Sequence, residues 1–497
     1  MLATARLEEW LPTTEPGLSA GFPPLYAAAF DSAPGGVNTG FHPAQRTFMD
    51  NTDRPRLNAI AGPILGEFLL GYTVVIVGLW LASHTSDGAA GSLGLANQVL
   101  ETLFVLYRVL AIGMGVVITQ LLGGQQTESV RRTALAGLGA ASWAGMFVFG
   151  WLVLGNDLIL DVLNAPAEIL PMAAPYLQLL APAALLEGYN LMMAAILRAH
   201  LHVKDSLRVM IAMHCSHFVL AVPLMLGVGS WDGFGLNGFA IALLASRAIG
   251  LGLHLRLWRR RMALVPALSD WWAFCPRILA PVLRIGVPGA TTELGYRAAF
   301  MVSLAATARL GVVALATHSY VLQLLRYVFL ISRSIGWACE IIVGRLIGAG
   351  QFGQARALVI KGVRNGLVAS GSMAVVAAFA APWLMRVFTK DPAVIEAAQV
   401  LLWIAVALEC GRVFNLIVTG ALRATGDAIY PVVASVGSFA LVLGVGSYFL
   451  GHAVGLPGIF IAYAADEWVR GLLVFVRWRR HGWVPHARNA QRRVRRG

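Results

Sequence analysis

The chain has 497 residues, of which 58% are hydrophobic and only 13% are charged, and its formal net charge is +13. A soluble chain of this length normally carries about 25% charged residues, so the composition excludes an ordinary soluble protein and indicates a polytopic membrane protein. The basic residues are spread over loops and the C-terminal end rather than gathered in one patch, which argues against nucleic acid as a partner.

The chain begins with a mixed polar segment, residues 1–56, that contains several prolines and glycines. A signal peptide would show a basic stretch followed by an apolar one, and this segment has neither. We expect it to be a disordered cytoplasmic extension.

Twelve apolar stretches follow, each long enough to cross a hydrocarbon core of about 30 Å as a helix. The first six are predicted at 59–82, 91–122, 132–155, 169–199, 206–228 and 236–258. The second six are predicted at 283–307, 313–347, 356–386, 393–423, 429–450 and 456–478. Basic residues concentrate in alternate loops, for example Arg131, Arg132, Arg356 and Lys361. By the positive-inside rule, these loops and both termini are expected to be cytoplasmic.

The second half of the chain repeats the first at an offset of 225 residues. Identical residues at this offset include the pairs Pro63/Pro288, Gln98/Gln323, Arg108/Arg333, Gly123/Gly348 and Asn190/Asn415. The offset then falls to 220, and the sequence W-R-R at 258–260 recurs at 478–480. Each half holds an even number of spans, so both enter the membrane in the same direction. An axis along the membrane normal should relate them, with a transport route in between.

The predicted fold is therefore an all-α polytopic membrane protein with twelve transmembrane helices in two pseudo-symmetric six-helix bundles. The N-terminal bundle is predicted at 57–262 and the C-terminal bundle at 283–480. A cytoplasmic linker at 263–282 joins the bundles, and a basic cytoplasmic tail occupies 481–497. This architecture favours an alternating-access transporter.

Residues 344–357, GRLIGAGQFGQARA, contain the spacing G-x-G-x-x-G at Gly348, Gly350 and Gly353. A dinucleotide-binding loop needs a strand before these glycines, whereas here they follow a helix. The repeat copy at 119–128 has lost two of the three glycines. We interpret them as the end of the eighth span, where Gly readily adopts a left-handed cap.

Four motifs in order resemble those of multidrug and toxic compound extrusion (MATE) transporters. In chain order they are RIGVP at 284–288, VGRLIGAGQFGQAR at 343–356, LRATGDAIYP at 422–431 and DEWVR at 466–470. The resemblance covers about residues 57–483 and implies an exporter of cationic or amphipathic compounds driven by H⁺ or Na⁺. Many bacterial members carry an aspartate late in the first span. Gly78 lies near that position here, and Glu67 is the nearest acid in that span.

Six acidic residues within the spans are candidate substrate or ion-coupling sites, because a charge at mid-membrane must face protein or water. At 1.5 Å per residue, Glu187 lies about 16 Å from Arg198, Glu293 about 13 Å from Arg284, and Glu409 about 21 Å from Arg423. These three acids rank first, followed by Glu67, Glu340 and Asp466.

Near neighbours in sequence separate the candidates. Glu293 and Glu409 each have an arginine within one helical turn, Arg297 and Arg412, with which a structural ion pair is the alternative role. Glu187, Glu67 and Glu340 have none, so each either exchanges protons or has a partner on another helix.

Symmetric polar residues are candidates for lining a cavity or for gating. The pairs are Gln98/Gln323, Asn190/Asn415 and Arg108/Arg333. Glu101 and Arg108 in one copy, with Arg326, Arg333 and Glu340 in the other, recur every seven residues and should form a charged seam between the halves or line the route. Helix-to-helix bridging is the alternative role for the arginines, as it is for the amides.

No cofactor or metal is predicted beyond the coupling ion, H⁺ or Na⁺. The four cysteines are widely spaced, and His214 and His217 lack carboxylates at a suitable distance. The sequence thus favours a monomeric, multi-pass antiporter of a bacterial inner membrane that acts on small organic molecules and has no obligate protein partner. A lipid-linked oligosaccharide flippase of the same superfamily is the first alternative, and a membrane-embedded enzyme is the second, although no catalytic motif occurs.

Overall fold

The computed structural model describes residues 57–496. The expected disordered extension, residues 1–56, lies outside this part of the chain. Within it the chain is helical throughout, apart from short turns and one isolated β-bridge between Val228 and Trp231.

The first half contains eight helices. They are α1 (Leu57–Ser83), α2 (Asp87–Leu103), α3 (Val105–Gly123), α4 (Thr127–Leu154), α5 (Asn156–Val162), α6 (Leu170–Ala199), α7 (Val203–Leu226) and α8 (Leu236–Met262). The second predicted span is divided at Phe104 into α2 and α3, and α5 is a short helix that the sequence did not predict. The other spans agree with the prediction to within a few residues.

The second half follows a short 3-10 turn, Leu268–Trp271. Its helices are α9 (Pro276–Ala308), α10 (Val312–Gly348), α11 (Phe352–Phe379), α12 (Ala381–Met385), α13 (Pro392–Thr425), α14 (Ile429–Ser438), α15 (Gly446–Val454), α16 (Leu456–Arg479) and α17 (Val484–Arg496). A π-helical turn, Phe439–Val445, joins α14 to α15 into one long span.

Two segments differ from their predicted form. The seventh span begins at Pro276 rather than 283, so the connection between the halves is shorter than expected. The predicted basic tail contains a helix, α17, whose apolar side is buried through Ala487, Ala490 and Val494, and Trp483, just before it, is buried too.

Ten helices or joined helices within residues 57–496 are long and apolar enough to cross a membrane. Two further helices of similar length, α9 and α16, fall short because they carry charged residues in their middle, such as Glu293 in α9 and Asp466 in α16. The fold is that of an all-helical, multi-pass membrane protein, and these two helices are consistent with the predicted count of twelve spans.

The two halves pack in the same way. In the first half α6 contacts α4 and α8, and in the second half the equivalent helix α13 contacts α11 and α16. Across the interface α3 contacts α9, and its repeat equivalent α10 contacts α1. Equivalent helices therefore meet equivalent neighbours, as a pseudo-twofold relation requires.

Candidate functional site

One face of the interface between the halves is closed by glycines. A Cβ atom on Gly123 would overlap the carbonyl oxygen of Arg345, and a Cβ atom on Gly348 would overlap that of Gln120. Gln120 and Arg345 are themselves 225 residues apart, so the two contacts are symmetric. The backbones of α3 and α10 can approach this closely only because neither glycine has a side chain.

The same two positions donate hydrogen bonds across the interface. Gln120 Nε2 donates to the carbonyl oxygen of Ala424 at 2.8 Å, at the end of α13. Arg345 Nη2 donates to that of Ala199 at 2.9 Å, at the end of α6. Each donor satisfies a helix-terminal carbonyl of the opposite half. We call this region, residues 119–124 and 344–350, the closed face.

The glycine triplet in the eighth span therefore has a structural role. Gly350 has φ +76°, the left-handed conformation expected at the end of a helix. Gly348 makes the close contact with α3, and a Cβ atom on Gly353 would meet nothing within 4 Å.

Away from the closed face, α2 packs against α1, α3 and α6 of its own half. The side chains of Gln98 and Glu101 on α2 and of Gln323 and Arg326 on α10 are exposed. We interpret these residues and their neighbours as the lining of a cleft between the halves, and call this region the cleft. The cleft lies where the repeat predicted a transport route.

A network of four charges crosses the cleft. Arg108 of α3 binds Glu101 at 2.5 Å and also Glu293 of α9. Arg297 of α9 reaches Glu101 at 3.0 Å and Glu293 at 3.5 Å. Arg108 thus bridges the halves. We expected Glu101 and Arg108 to form a charged seam with residues of α10 or to line the route. Instead they bind each other and the charged residues of α9.

The arginines of α10 contact aromatic rings of α1 and of α10 itself instead. Arg326 lies 4.8 Å above the ring of Tyr72, whose hydroxyl donates to Gln323. Arg333 lies 5.1 Å from the ring of Phe68 and 5.8 Å from that of Trp337. Arg326 and Arg333 have no acidic partner within residues 57–496. Aromatic faces compensate cations in this part of the cleft.

The three acids without a partner in their own helix all have one on another helix. Glu67 binds Arg198 at 3.0 Å, Glu187 lies 2.6 Å from Nε of Arg247, and Glu340 binds Arg423 at 2.8 Å. Of the two alternatives for these acids, the structure shows the cross-helix partner. Each pair is balanced, one carboxylate to one guanidinium.

One of these ion pairs recurs in the second half with the acid and the arginine exchanged between the two helices. Glu187 of α6 corresponds to Arg412 of α13, and Arg247 of α8 corresponds to Glu467 of α16. Arg412 binds Glu467 at 3.1 Å, so an ion pair occupies the same place in both halves with its charges exchanged. The symmetric amides support it: Asn190 donates to the carbonyl of residue 247 at 3.0 Å, and Asn415 to the carboxylate of residue 467 at 2.8 Å.

This equivalence predicts that the first pair tolerates reversal. Glu187→Arg and Arg247→Glu should each destabilise the protein by about 3 to 5 kcal/mol, because each leaves two like charges in a buried site. The double variant restores one charge of each sign and should recover most of the loss. Thermal unfolding of the three variants in detergent tests this, and a double variant no more stable than the singles would contradict it.

The second half carries additional charges around its copy of the pair. Glu409 binds Arg412, while Arg470 binds Asp466 at 2.5 Å and Glu467 at 3.2 Å. Ser438 also donates to Asp466 at 2.6 Å. We call these five charged residues the α13–α16 cluster. It contains three carboxylates and two guanidiniums.

Glu409 is the least satisfied member of the α13–α16 cluster. Its side chain is fully buried, and its Oε2 atom has no hydrogen-bond partner within residues 57–496. A buried carboxylate oxygen without a donor is costly unless a proton or a cation occupies it. Buried carboxylate oxygens of Glu67 and Glu187 also lack a hydrogen-bond partner within residues 57–496. Of these three acids, only Glu409 belongs to a cluster in which carboxylates outnumber guanidiniums.

At the place in the first span where the resemblance led us to look for an aspartate, the chain has Gly78. Gly78 faces Phe239 of α8, and a Cβ atom there would lie 3.1 Å from the ring. A first-span carboxylate at this position would meet an aromatic ring rather than a polar partner.

Sequence reasoning missed Tyr72 and Arg247. Tyr72 reaches Gln323 of the other half, and no sequence pattern singled it out. Arg247 could have been found, because aligning the repeat at offset 220 places it opposite Glu467. That comparison would have indicated a partner for Glu187.

Comparison with known proteins gives a consistent result. Residues 63–224 and 288–449 each match the model of the MatE family, and the two matches begin 225 residues apart. The "Uncharacterized transporter YisQ" of Bacillus subtilis is 28% identical over 444 residues, which cover 89% of this chain and 96% of that protein. The "Probable multidrug resistance protein NorM" of Thermotoga maritima is 24% identical over 461 residues, covering 89% and 95%. The solved Vibrio cholerae MATE transporter VcmN, in its bent form, is similar in fold, with a TM-score of 0.76, 16% identity, and coverage of 87% of this chain and 97% of that one.

Proposed function

Because this chain belongs to the MatE family of membrane transporters, we propose that it is a secondary active antiporter that exports organic, cationic or amphipathic compounds in exchange for H⁺ or Na⁺. Members of this family are transporters of small molecules rather than enzymes. The proposal adds the driving ion and the cargo.

The charge balance of the α13–α16 cluster carries the proposal. Three of the six predicted acids, Glu67, Glu187 and Glu340, lie in pairs with one arginine each, and Glu293 belongs to a network of two acids and two arginines. The α13–α16 cluster alone has one carboxylate in excess. A net negative charge inside the membrane needs a counter-ion or a proton.

Such a group can couple two fluxes. When a proton or Na⁺ neutralises the extra carboxylate, the cluster is stable without cargo; when cargo brings a positive charge nearby, the ion is released. Glu409 is closed from water in this conformation, so exchange with one side at a time requires the halves to rearrange. This is the condition for alternating access.

The cleft supports an amphipathic cargo with an aromatic body. Tyr72 and Tyr327 form an edge-to-face pair with ring centroids 5.5 Å apart, and Tyr327 is 44% exposed. Planar compounds can stack on such rings.

A second candidate function rests on the charge of the cleft. Arg108, Arg297, Arg326 and Arg333 outnumber Glu101 and Glu293 there, which gives an excess of two positive charges. An anionic amphiphile would find complementary charge in the cleft, as a flippase for lipid-linked oligosaccharides requires. Zwitterionic drugs would also be accommodated better than simple cations.

We further propose that the closed face is cytoplasmic, together with both termini, and that the protein works as a monomer in a bacterial inner membrane. The basic residues of α17 and of the loops around the closed face support this orientation. In that orientation the cleft opens outward.

The proposal is tested by efflux of ethidium and of a fluoroquinolone from vesicles under an imposed pH gradient or an imposed Na⁺ gradient. Export driven by one gradient and collapsed by the matching ionophore is the expected result. Dependence on neither gradient would overturn the antiporter proposal. Transport of an anionic lipid-linked sugar in the absence of drug efflux would favour the flippase.

A further inference from the structure

A groove at the end of α8 shares no lining residue with the cleft. After Met262 the chain turns sharply, with Ala263 in the left-handed conformation at φ +52°, and runs back beside α8. The space between α8 and this returning segment measures about 800 Å³. It is lined by Leu255, Arg256, Arg259, Arg260, Leu264, Val265, Pro266 and Trp271.

Three arginines on one side of the groove lack acidic partners. Arg256, Arg259 and Arg260 are exposed, and none forms an ion pair within residues 57–496. The next residue, Arg261, binds Asp205 at 3.0 Å, so an acid is close enough to neutralise one arginine of this run but not the other three. Guanidiniums gathered without counter-charges favour a phosphate group.

The other side of the groove is apolar and lies against the spans. The carbonyl of Ala273 packs on Gly139 of α4, and Trp143 Nε1 donates to the carbonyl of Trp272 at 3.3 Å. Trp143 lies eleven residues beyond Arg132 along α4, or about 16 Å farther along the helix axis. The returning segment therefore dips alongside the membrane-spanning part of α4 instead of staying in water.

Large apolar side chains on the returning segment point outward. The exposed fractions are 64% for Val265, 88% for Leu268, 56% for Trp272 and 65% for Phe274. Such residues at the end of a transmembrane helix are typical of contact with acyl chains and the bilayer interface. The groove thus combines phosphate-binding charges with a surface suited to hydrocarbon.

The repeat provides an internal comparison. The sequence W-R-R ends the sixth span of both halves, and Trp258 and Trp478 are fully buried. In the second half Trp483 stacks on Trp478 with centroids 4.5 Å apart, and its Nε1 atom donates to the Trp478 carbonyl at 3.1 Å. Val476 stands where the first half has Arg256. The second copy therefore has only two of the three arginines, and the chain after it folds back at once onto Trp478.

We propose that the groove between α8 and residues 264–271 binds an anionic phospholipid, with its phosphate held by Arg256, Arg259 and Arg260. The acyl chains would run along Val265 and the exposed aromatic residues. Basic sites at the cytoplasmic ends of transmembrane helices recognise lipid headgroups through the same chemistry.

Lipid binding to the purified full-length protein tests the proposal. Native mass spectrometry and thermal shift in detergent would be measured with added phosphatidylglycerol, with phosphatidylcholine, and with inorganic phosphate. Wild type should retain and be stabilised by phosphatidylglycerol. The variant Arg256→Gln/Arg259→Gln/Arg260→Gln should bind it more weakly by on the order of tenfold.

The control removes three exposed arginines of α17, Arg488→Gln/Arg492→Gln/Arg495→Gln, and loses the same net charge. It should bind phosphatidylglycerol like wild type. Equal weakening in both triple variants, or equal binding by phosphatidylcholine, would overturn the proposal. Stabilisation by inorganic phosphate to the same extent would show a free-anion site and would also overturn it. If the groove variant does not fold, Arg259→Gln and Arg260→Gln singly must each weaken binding.

Discussion

Replacing Glu409 by Gln is expected to remove ion-driven efflux, with a loss of roughly 10- to 100-fold. The substitution preserves the shape of the side chain but leaves the α13–α16 cluster with two carboxylates and two guanidiniums. With equal numbers of carboxylates and guanidiniums, the cluster no longer needs a proton or Na⁺ for neutrality. A gradient of either ion can then no longer drive export. Efflux of a fluoroquinolone from energised vesicles measures the loss.

The stability of the folded protein should not fall together with efflux. Because Glu409→Gln removes an uncompensated buried charge, the melting temperature should be unchanged or higher. Glu187→Gln is the matched control: it is the same substitution in a buried ion pair, but it leaves Arg247 unpaired. That variant should lose about 3 to 5 kcal/mol of stability.

These two readouts separate coupling from folding. If Glu409→Gln lowers the melting temperature as much as Glu187→Gln does, then Glu409 is a structural partner of Arg412 and the charge-balance argument is wrong. Full ion-driven efflux by a folded Glu409→Gln protein would contradict it equally.

Adding a methyl group at the closed face should trap the transporter open on that side. In Gly123→Ala or Gly348→Ala the new Cβ atom would overlap a carbonyl oxygen of the facing helix, so α3 and α10 must move apart. Overpacking of this kind costs about 1 to 3 kcal/mol, which shifts a two-state equilibrium by roughly 5- to 150-fold. Transport should fall accordingly, and the double variant should be worse than either single variant.

Distances between spin labels at Thr127 and Gln354, two exposed positions flanking the closed face, would report the opening. The labelled glycine variants should show a longer distance than the labelled protein with both glycines intact. Gly353→Ala is the control, because it changes the same glycine triplet at a position where a Cβ atom meets nothing within 4 Å. An unchanged distance and normal efflux in Gly348→Ala would show that the helices do not need this contact.

The closed face also explains a sequence feature that local patterns describe only in part. The triplet at Gly348, Gly350 and Gly353 indicated the end of a helix, and Gly350 has the expected left-handed conformation. Nothing local to the triplet indicates that Gly348 must lack a side chain. That requirement comes from α3 of the other half, where the carbonyl oxygen of Gln120 lies against Gly348.

Much of the fold could be predicted from the sequence, because hydrophobic length and internal repetition are properties of the chain itself. Twelve apolar stretches, the fixed offset between the halves and the four motifs led to the helical bundles and to the family. The break at Phe104 and the helix in the C-terminal tail escaped prediction, since both depend on what the segments pack against.

The cross-helix partners of the buried acids were seen only in the tertiary structure, although the repeat could have indicated the partner of Glu187. From the sequence, Glu187, Glu67 and Glu340 had no basic neighbour within one helical turn. Ion pairs from α6 to α8, from α1 to α6 and from α10 to α13 bring each of them to an arginine. Sequence separation says nothing about distance between helices, whereas the cost of a buried charge depends on the few ångströms around it. The chain therefore determined where charges enter the membrane, and the fold determined which charges group together and which group has one carboxylate in excess.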